Sequence, residues 1–554
     1  MSRQTTRRRL AALGALPILA LAGGEGMAAE ADGPRVTASV RATGEDLAPT
    51  RTYGAPFLAV DPENPDHIVA ATPEMRSRTC RLMRSLDAGR SWKLMEAFPS
   101  PQSYPFCFHT SGTSTQTPIS FGRDGAVYYA LNGWDNQDVG SGSDHPGTYA
   151  NFSVLVARTG DLGETWDPVM VRDARGKTGA GQAENNRPIN GIAVDSKTGS
   201  VDTVYVGWSQ SFPQATPAQV GQTVIATSTD GGKTYGEPVK VTTDYWKSVV
   251  NKPDADKWGG SSPTLTVTDN GTLYAVFYAS ATGQPAGAQV NSILLAKSTD
   301  KGKTFQVNEI APPSGFYQAG ALMDWSTEGG PEGTLHIVYE DKVASPGQTT
   351  IPLGDRDVFT RRSTDGGKTW SEGKLLNDDP YDPKDGGHSQ NNPSVSVAPN
   401  GRVDAVWWDF RNDMGQFQND VYYSYSEDNG ATWSKNIRAN DRSIDRRLGV
   451  WSNGYDMRMP VGVVSTDKVA VFAWDDTRNA DTLTQGQDVY TAIVQHEALG
   501  SGTSDALRYA LAGLIGLAAV GLVLLAASTI SGRRRPKGSP APDPEASRGR
   551  VGSA

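Results

Sequence analysis

One eight-residue pattern recurs six times in this chain of 554 residues, and its spacing limits the fold more than any other feature. It reads Ser85-Leu-Asp87-Ala-Gly89-Arg-Ser91-Trp92, Thr159-Gly-Asp161-Leu-Gly163-Glu-Thr165-Trp166 and Ser228-Thr-Asp230-Gly-Gly232-Lys-Thr234-Tyr235, then continues in versions ending at Phe305, Trp370 and Trp433. The aspartates Asp87, Asp161, Asp230, Asp300, Asp365 and Asp428 stand 63 to 74 positions apart. A period of that length means stacked or radial supersecondary units. Within each copy, Asp can accept from nearby backbone N–H groups, Gly permits a positive φ, and the flanking hydroxyls add short side-chain-to-backbone bonds. The pattern therefore predicts a tight hairpin turn, whose terminal aromatic opens the next strand and buries itself against a neighbouring unit.

These residues resemble the Asp-box, or BNR repeat, of the sialidase-like β-propellers. The resemblance covers most of the chain and implies an all-β propeller. It also implies that the boxes are structural turns on the face opposite the active site, so that their aspartates are not catalytic.

A second repeat gives the number of blades. A proline followed by small and apolar residues recurs at Ala55-Pro56, Thr117-Pro118, Arg187-Pro188, Ser262-Pro263, Asn392-Pro393 and Met459-Pro460, with a degenerate copy near Ala319-Gly320. Each precedes a run rich in Val, Tyr, Phe and Trp, such as residues 203–208 or 469–474, as strands require. Seven copies favour seven four-stranded blades, with six as the alternative. The last unit, about residues 457–494, has three strand-like runs and no box; residues 35–40 form an unassigned run that supplies its missing strand and closes the ring without an open edge.

The expected organisation is a signal peptide over 1–29, a propeller over 33–497, a stalk over 498–508, a transmembrane helix over 509–532 and a cytoplasmic tail over 533–554. Arg7, Arg8 and Arg9 precede an apolar stretch and small residues, a secretion signal with twin-arginine character. Residues 509–532 carry no charge and Arg533, Arg534, Arg535 and Lys537 follow, so the positive-inside rule puts the propeller outside the cell. The termini contribute +3 (residues 1–29) and +5 (506–554) to the formal charge of −9, leaving −17 on residues 30–505. That acidic body argues against nucleic acid as a partner. Cys80 and Cys107 are the two cysteines, and an exported location permits a stabilising disulfide between them. The scattered His and Cys form no zinc constellation; the acidic loop over 378–387 offers weak support for Ca²⁺ and lacks EF-hand spacing, so no cofactor is expected.

Candidate chemistry lies where first strands begin and second strands end, the positions that open on the active face in the resembling family. There the chain offers acid-x-Arg elements, Glu74-Met-Arg76, Asp409-Phe-Arg411 and Asp476-Thr-Arg478. In extended chain these side chains point the same way and pair with one another as a hairpin-stabilising set, or they face a ligand. The resemblance implies that a sialidase would hold a substrate carboxylate with three arginines and attack with a Glu-activated Tyr, the exception to two-carboxylate glycoside hydrolysis. Arg187 and Arg458 are the corresponding binding candidates, with Arg76, Arg411, Arg478, Asp409 and Asp476 beside them, and Tyr455 is the nucleophile candidate. The chain departs from that family at Tyr53-Gly54-Ala55-Pro56, where Gly54 replaces the first-blade arginine, while Met457-Arg458-Met459-Pro460 keeps an R-x-P core. The sequence thus supports a surface propeller that takes a glycan or other anionic ligand, either as an exo-α-sialidase-type hydrolase or as a non-catalytic glycan- or protein-binding module.

Overall fold

The computed structural model describes residues 33–74, 76, 79–95, 118–133, 153–173, 185–212, 220–241, 258–281, 291–314, 322–326, 333–341, 356–379, 388–413, 415–449 and 460–496. Their strands form seven antiparallel sheets, the blades of a propeller. Blade 1 runs Phe57–Val60, Ile68–Glu74, Thr79–Ser85 and Lys93–Leu94 from inside to outside, and blades 2 to 6 repeat this meander. The first strands touch one another in order, and the first strand of blade 7, Gly462–Ser465, touches that of blade 1, which closes the ring around a central channel.

Blade 7 is completed from the other end of the sequence. Its third strand, Asp488–Gln495, pairs with Arg35–Val36 and Val40–Arg41. The sequence suggests one run over 35–40; the structure gives two short strands instead. Thr37 still serves the ladder, its Oγ1 accepting from the Ile493 amide at 3.0 Å, whereas Ser39 turns away to donate its amide and hydroxyl to Asp441.

The x-Pro repeat has a visible mechanical role. In blades 3 and 6 the register between first and second strands shifts between Asn186 and Ile189 and between Asn391 and Ser394, bracketing Pro188 and Pro393. Proline has no N–H to give to the ladder, so it produces the bulge that swings each first strand towards the channel. Crowding there selects small residues: a Cβ on Gly462 would come within 2.8 Å of the Pro56 carbonyl oxygen.

Each of the six boxes joins a third strand to a fourth. In blade 5, Asp365 accepts the Ser363 hydroxyl (2.8 Å), the Thr369 amide (2.9 Å) and the Thr369 hydroxyl (2.6 Å), while the Gly367 amide donates to Ser363 Oγ at 2.9 Å. Burial works to raise the Asp365 carboxyl, but the Thr369, Ser363 and Lys368 donors outweigh it and bring it down to about 2. The box aromatics seal the seams. Trp92 packs into the core between blades 7 and 1, and Trp166, Tyr235, Phe305, Trp370 and Trp433 do the same for the next five seams.

Blade 7 has no box, and the seam between blades 6 and 7 is held differently. At the box face, buried Arg402 and Asp404 form an ion pair (3.0 Å). Tyr423 donates to Asp404 Oδ1 at 2.5 Å and stands 2.7 Å from His496 Nε2. Arg402 also donates to the Thr466 and Val469 carbonyls of blade 7. A polar staple thus replaces the missing aromatic plug.

Asp365→Ala is expected to cost about 1 kcal/mol, the typical loss of a capping acceptor. Thermal unfolding of the variant should shift while glycan affinity stays unchanged. A folded variant with a large affinity loss would contradict a purely structural box.

Candidate functional site

The face on which the first strands begin carries the channel mouth. Ala55, Phe57, Thr264, Met323, Ser394 and Pro460 are among the residues lining a cavity of about 110 Å³ there, drawn from blades 1, 4, 5, 6 and 7. The lining itself is largely apolar. Polar groups sit one layer behind it and fix the backbone of the mouth.

They occupy one recurrent position, the residue after the large apolar side chain near the end of a second strand. Asn132 Oδ1 accepts from the Ile189 amide (3.2 Å), Ser209 Oγ donates to the Gly260 carbonyl (2.8 Å), Glu340 Oε1 accepts from the Asn392 amide (2.5 Å) and Asp475 Oδ1 accepts from the Ala55 amide (2.9 Å). Each bond crosses from one blade to the lead-in of the next. Two recipients, Ala55 (φ 50°) and Asn392 (φ 51°), hold left-handed backbone that side chains other than Gly, Asn and Asp rarely adopt. Such strain persists where its surroundings over-determine it, and here buried carboxylates do so. Sequence reasoning misses this role of Glu340 and Asp475; the signal was their place after Tyr339 and Trp474.

The acid-x-Arg elements of blades 6 and 7 are two copies of one construction. Asp409 accepts the Trp407 indole N–H (2.9 Å), the Arg411 amide (2.8 Å) and the Arg411 guanidinium (2.8 Å); Asp476 accepts the Trp474 indole (3.0 Å), the Arg478 amide (2.8 Å) and the Arg478 guanidinium (2.8 Å). Both guanidinium groups lie over a tyrosine, Arg411 at 4.1 Å from the Tyr422 ring centre and Arg478 at 4.0 Å from that of Tyr490. Each reaches a further carboxylate, Asp378 at 2.7 Å and Asp441 at 2.8 Å. Asn412 and Asn479 complete the sets by donating to Asp420 and Tyr422, and to Asp488 and Tyr490.

Burial pushes the Asp409 carboxyl up against the pull of Arg411. Arg411 in turn is held above its ordinary range, because its bonds and charge contacts with Asp409, Asp378 and Asp379 outweigh burial. These arginines are structural ties between strands and connections. Arg411 and Arg478 are thus engaged by Asp409 and Asp476 and by the further carboxylates Asp378 and Asp441.

The blade 1 copy differs. Glu74 accepts the Thr52 amide at 2.9 Å, and exposed Arg76 donates to the Thr484 carbonyl of blade 7 at 2.5 Å. The Gly54 carbonyl is taken by Thr72 Oγ1 at 2.7 Å, and the Tyr53 hydroxyl before it donates to Asp46 at 2.6 Å, so the lead-in of blade 1 is fixed. Arg187 falls on the first strand of blade 3, Asn185–Asp195, but its side chain is outside the described residues, as are Tyr455, Arg458 and Cys107. Cys80 is disulfide-bonded. Of the acidic loop, Asp378 and Asp379 are engaged by Arg411, and among the described residues no group of three or more His, Cys, Asp or Glu is placed to hold a metal. No helix among the described residues is long and apolar enough to cross a membrane; residues 509–532 lie outside them.

Six Asp-boxes on a closed, seven-bladed ring define an Asp-box β-propeller. Residues 220–454 match the family described as BNR repeat-like domain. A sialidase of Micromonospora viridifaciens is 30% identical over 189 residues, which is 31% of this chain and 28% of that protein. Among solved structures, a protein of unknown function from Dyadobacter fermentans shares 13% identity at a TM-score of 0.41, covering 84% of this chain and 100% of its own. A Hadza microbial sialidase shares 14% at 0.39, covering 75% of this chain and 73% of its own. An α-L-arabinanase of Penicillium chrysogenum complexed with arabinobiose shares 14% at 0.41, covering 71% of this chain and 98% of its own. The chain is a sialidase-like, BNR-repeat β-propeller.

Proposed function

We propose that this protein is an exported propeller, held at the cell surface by residues 509–532, whose channel mouth binds an acidic glycan with little or no hydrolysis of sialosides. The observation that carries this reading is the fixed lead-in of blade 1, with no side chain at Gly54. Gly54 stands where sialidases carry an arginine, and its carbonyl and the next amide are bound by Thr72 and Asp475. With Arg411 and Arg478 committed to their own carboxylates, carboxylate recognition falls to Arg187 and Arg458. Pro460 lines the mouth, and Arg458 precedes it by two residues. Planar guanidinium groups suit a carboxylate bidentately, which a net-acidic body needs at close range.

Exo-α-sialidase activity is the second reading, and the match to a sialidase favours it. It requires Tyr455 as nucleophile and an acid/base within reach of the glycosidic oxygen. A fluorogenic sialoside assay and sialyllactose titration on wild type, Tyr455→Phe and Arg458→Ala separate the two. Binding without turnover, weakened in Arg458→Ala, is expected. Robust wild-type turnover abolished by either change would establish the hydrolase.

A further inference from the structure

A second cavity opens on the same face as the channel mouth, at the boundary of blades 6 and 7. It holds about 280 Å³ and is lined by Gln418, Arg442, Ser443, Asp445, Thr477 and Arg478, among others. That volume lies near the lower end of the roughly 300–1,000 Å³ typical of ligand pockets, the size for one sugar ring.

Its walls are firmly built. The segment after the outer strand of blade 6 folds back so that Ile444–Asp445 pairs with Gln418–Ser426, with Asp445 opposite Gln418. Thr477 Oγ1 donates to the Asp445 carbonyl at 2.7 Å and ties this segment to blade 7. The preceding loop is set by Asp413, whose carboxylate accepts the amides of Gly415, Phe417 and Gln418 at 3.0, 2.9 and 2.7 Å. Phe417, beside Gln418, is 42% exposed, with the Arg447 guanidinium 5.6 Å from its ring centre.

Most of the charges around the cavity are paired. Arg438 binds Asp420, Arg447 binds Asp445, and Arg478 binds Asp476 and Asp441. Arg446 is buried and lies 4.6 Å from the Phe410 ring centre. The Arg442 guanidinium has no hydrogen bond or ion pair among the described residues, and it is exposed at the cavity wall. An exposed guanidinium with no partner among the described residues thus stands at the wall, beside the neutral donors of Gln418 and Ser443.

We infer that this cavity is a second saccharide site, separate from the channel mouth, which takes a carboxylate-bearing sugar. Arg442 meets the carboxylate through two parallel N–H bonds. Gln418 and Ser443 meet ring hydroxyls, and the exposed part of Phe417 packs on the apolar side of a neighbouring ring. The site does not depend on Tyr455, Arg187 or Arg458. A polymer of acidic sugars engaging both sites would gain avidity from the second contact.

The test is calorimetric titration of the full-length protein with trigalacturonate and with neutral trigalactose. Wild type should bind the acidic trimer and discriminate against the neutral one. Arg442→Ala should weaken the acidic trimer about tenfold, the worth of one charge-assisted bond. Arg442→Lys should recover part of the loss, and Phe417→Ala should weaken binding several-fold. Arg458→Ala should remove only the channel-mouth event from the titration and leave a second, Arg442-dependent event, so failure of the channel-mouth reading and failure of this one are told apart. Absence of wild-type binding, equal binding of the neutral trimer, or unchanged affinity in a folded Arg442→Ala would overturn the assignment. A loss confined to Arg458→Ala would return the ligand to the channel mouth.

Discussion

Asp404→Ala is expected to destabilise the propeller by about 3–5 kcal/mol, because it strands the buried Arg402 charge without its partner. Arg402 and Asp404 are 2% and 0% exposed, and the carboxylate also takes the Tyr423 hydroxyl. Removing one partner leaves the whole cost of a desolvated guanidinium, whereas removing both leaves mainly a cavity. Arg402→Met combined with Asp404→Leu should therefore recover much of the loss. Denaturant midpoints of the three variants measure this directly. A single-variant loss below 1 kcal/mol would show that seam 6/7 does not rely on the staple.

The second large effect concerns pH. Asp475 is fully buried, and burial, with a smaller contribution from Asp476, pushes its carboxyl up to about 7 against the bonds from the Ala55 amide and Gln487. A carboxyl raised in the folded state binds its proton more tightly than in the unfolded chain. Its contribution is fully present below about pH 4 and is lost as pH rises towards 7, up to about 4 kcal/mol in all. This runs opposite to the box aspartates, whose lowered values make their contribution fade as pH falls from about 4 to 2. Unfolding midpoints of wild type and Asp475→Asn between pH 4 and 8 resolve the two: the variant should lose the decline on the neutral side. An identical pH profile in both proteins would mean that Asp475 is ionised throughout.

The boxes were legible because every bond in them is local; Ser363, Asp365, Gly367 and Thr369 serve one another within seven residues. The blade number was legible for the same reason, since each x-Pro lead-in carries its own backbone signal. The acid-x-Arg elements showed their pairing in sequence, but not the indole of Trp407 or the ring of Tyr422 that commit Arg411. Asp476 was legible through its acid-x-Arg element, whereas Asp475 beside it carried no signal of its own. Alternation along a strand sends them to different seams, one to the lead-in of blade 1 and the other to Arg478. The staple at seam 6/7 was invisible, because Arg402 and His496 are brought together by the packing of blade 6 on blade 7 and share no local pattern. The cavity around Arg442 was missed likewise: its cation stands out only once its neighbours are seen to be paired.

The clasp in blade 7 also sets an order of events. Thr37 bonds to Ile493 across 456 positions, and Ser39 bonds to Asp441 across 402. On a ribosome, the strand made first waits for the strand made last, and the loop to be closed is nearly the whole ring. Loop-closure entropy rises slowly with length, but long-range pairing is slow to form. Until it forms, blade 7 presents a bare edge that invites another chain. The waiting segments are two residues each and carry Arg35 and Arg41, too short and too charged to recruit a wrong partner, so the nascent ring is protected by the modesty of the piece that finally shuts it.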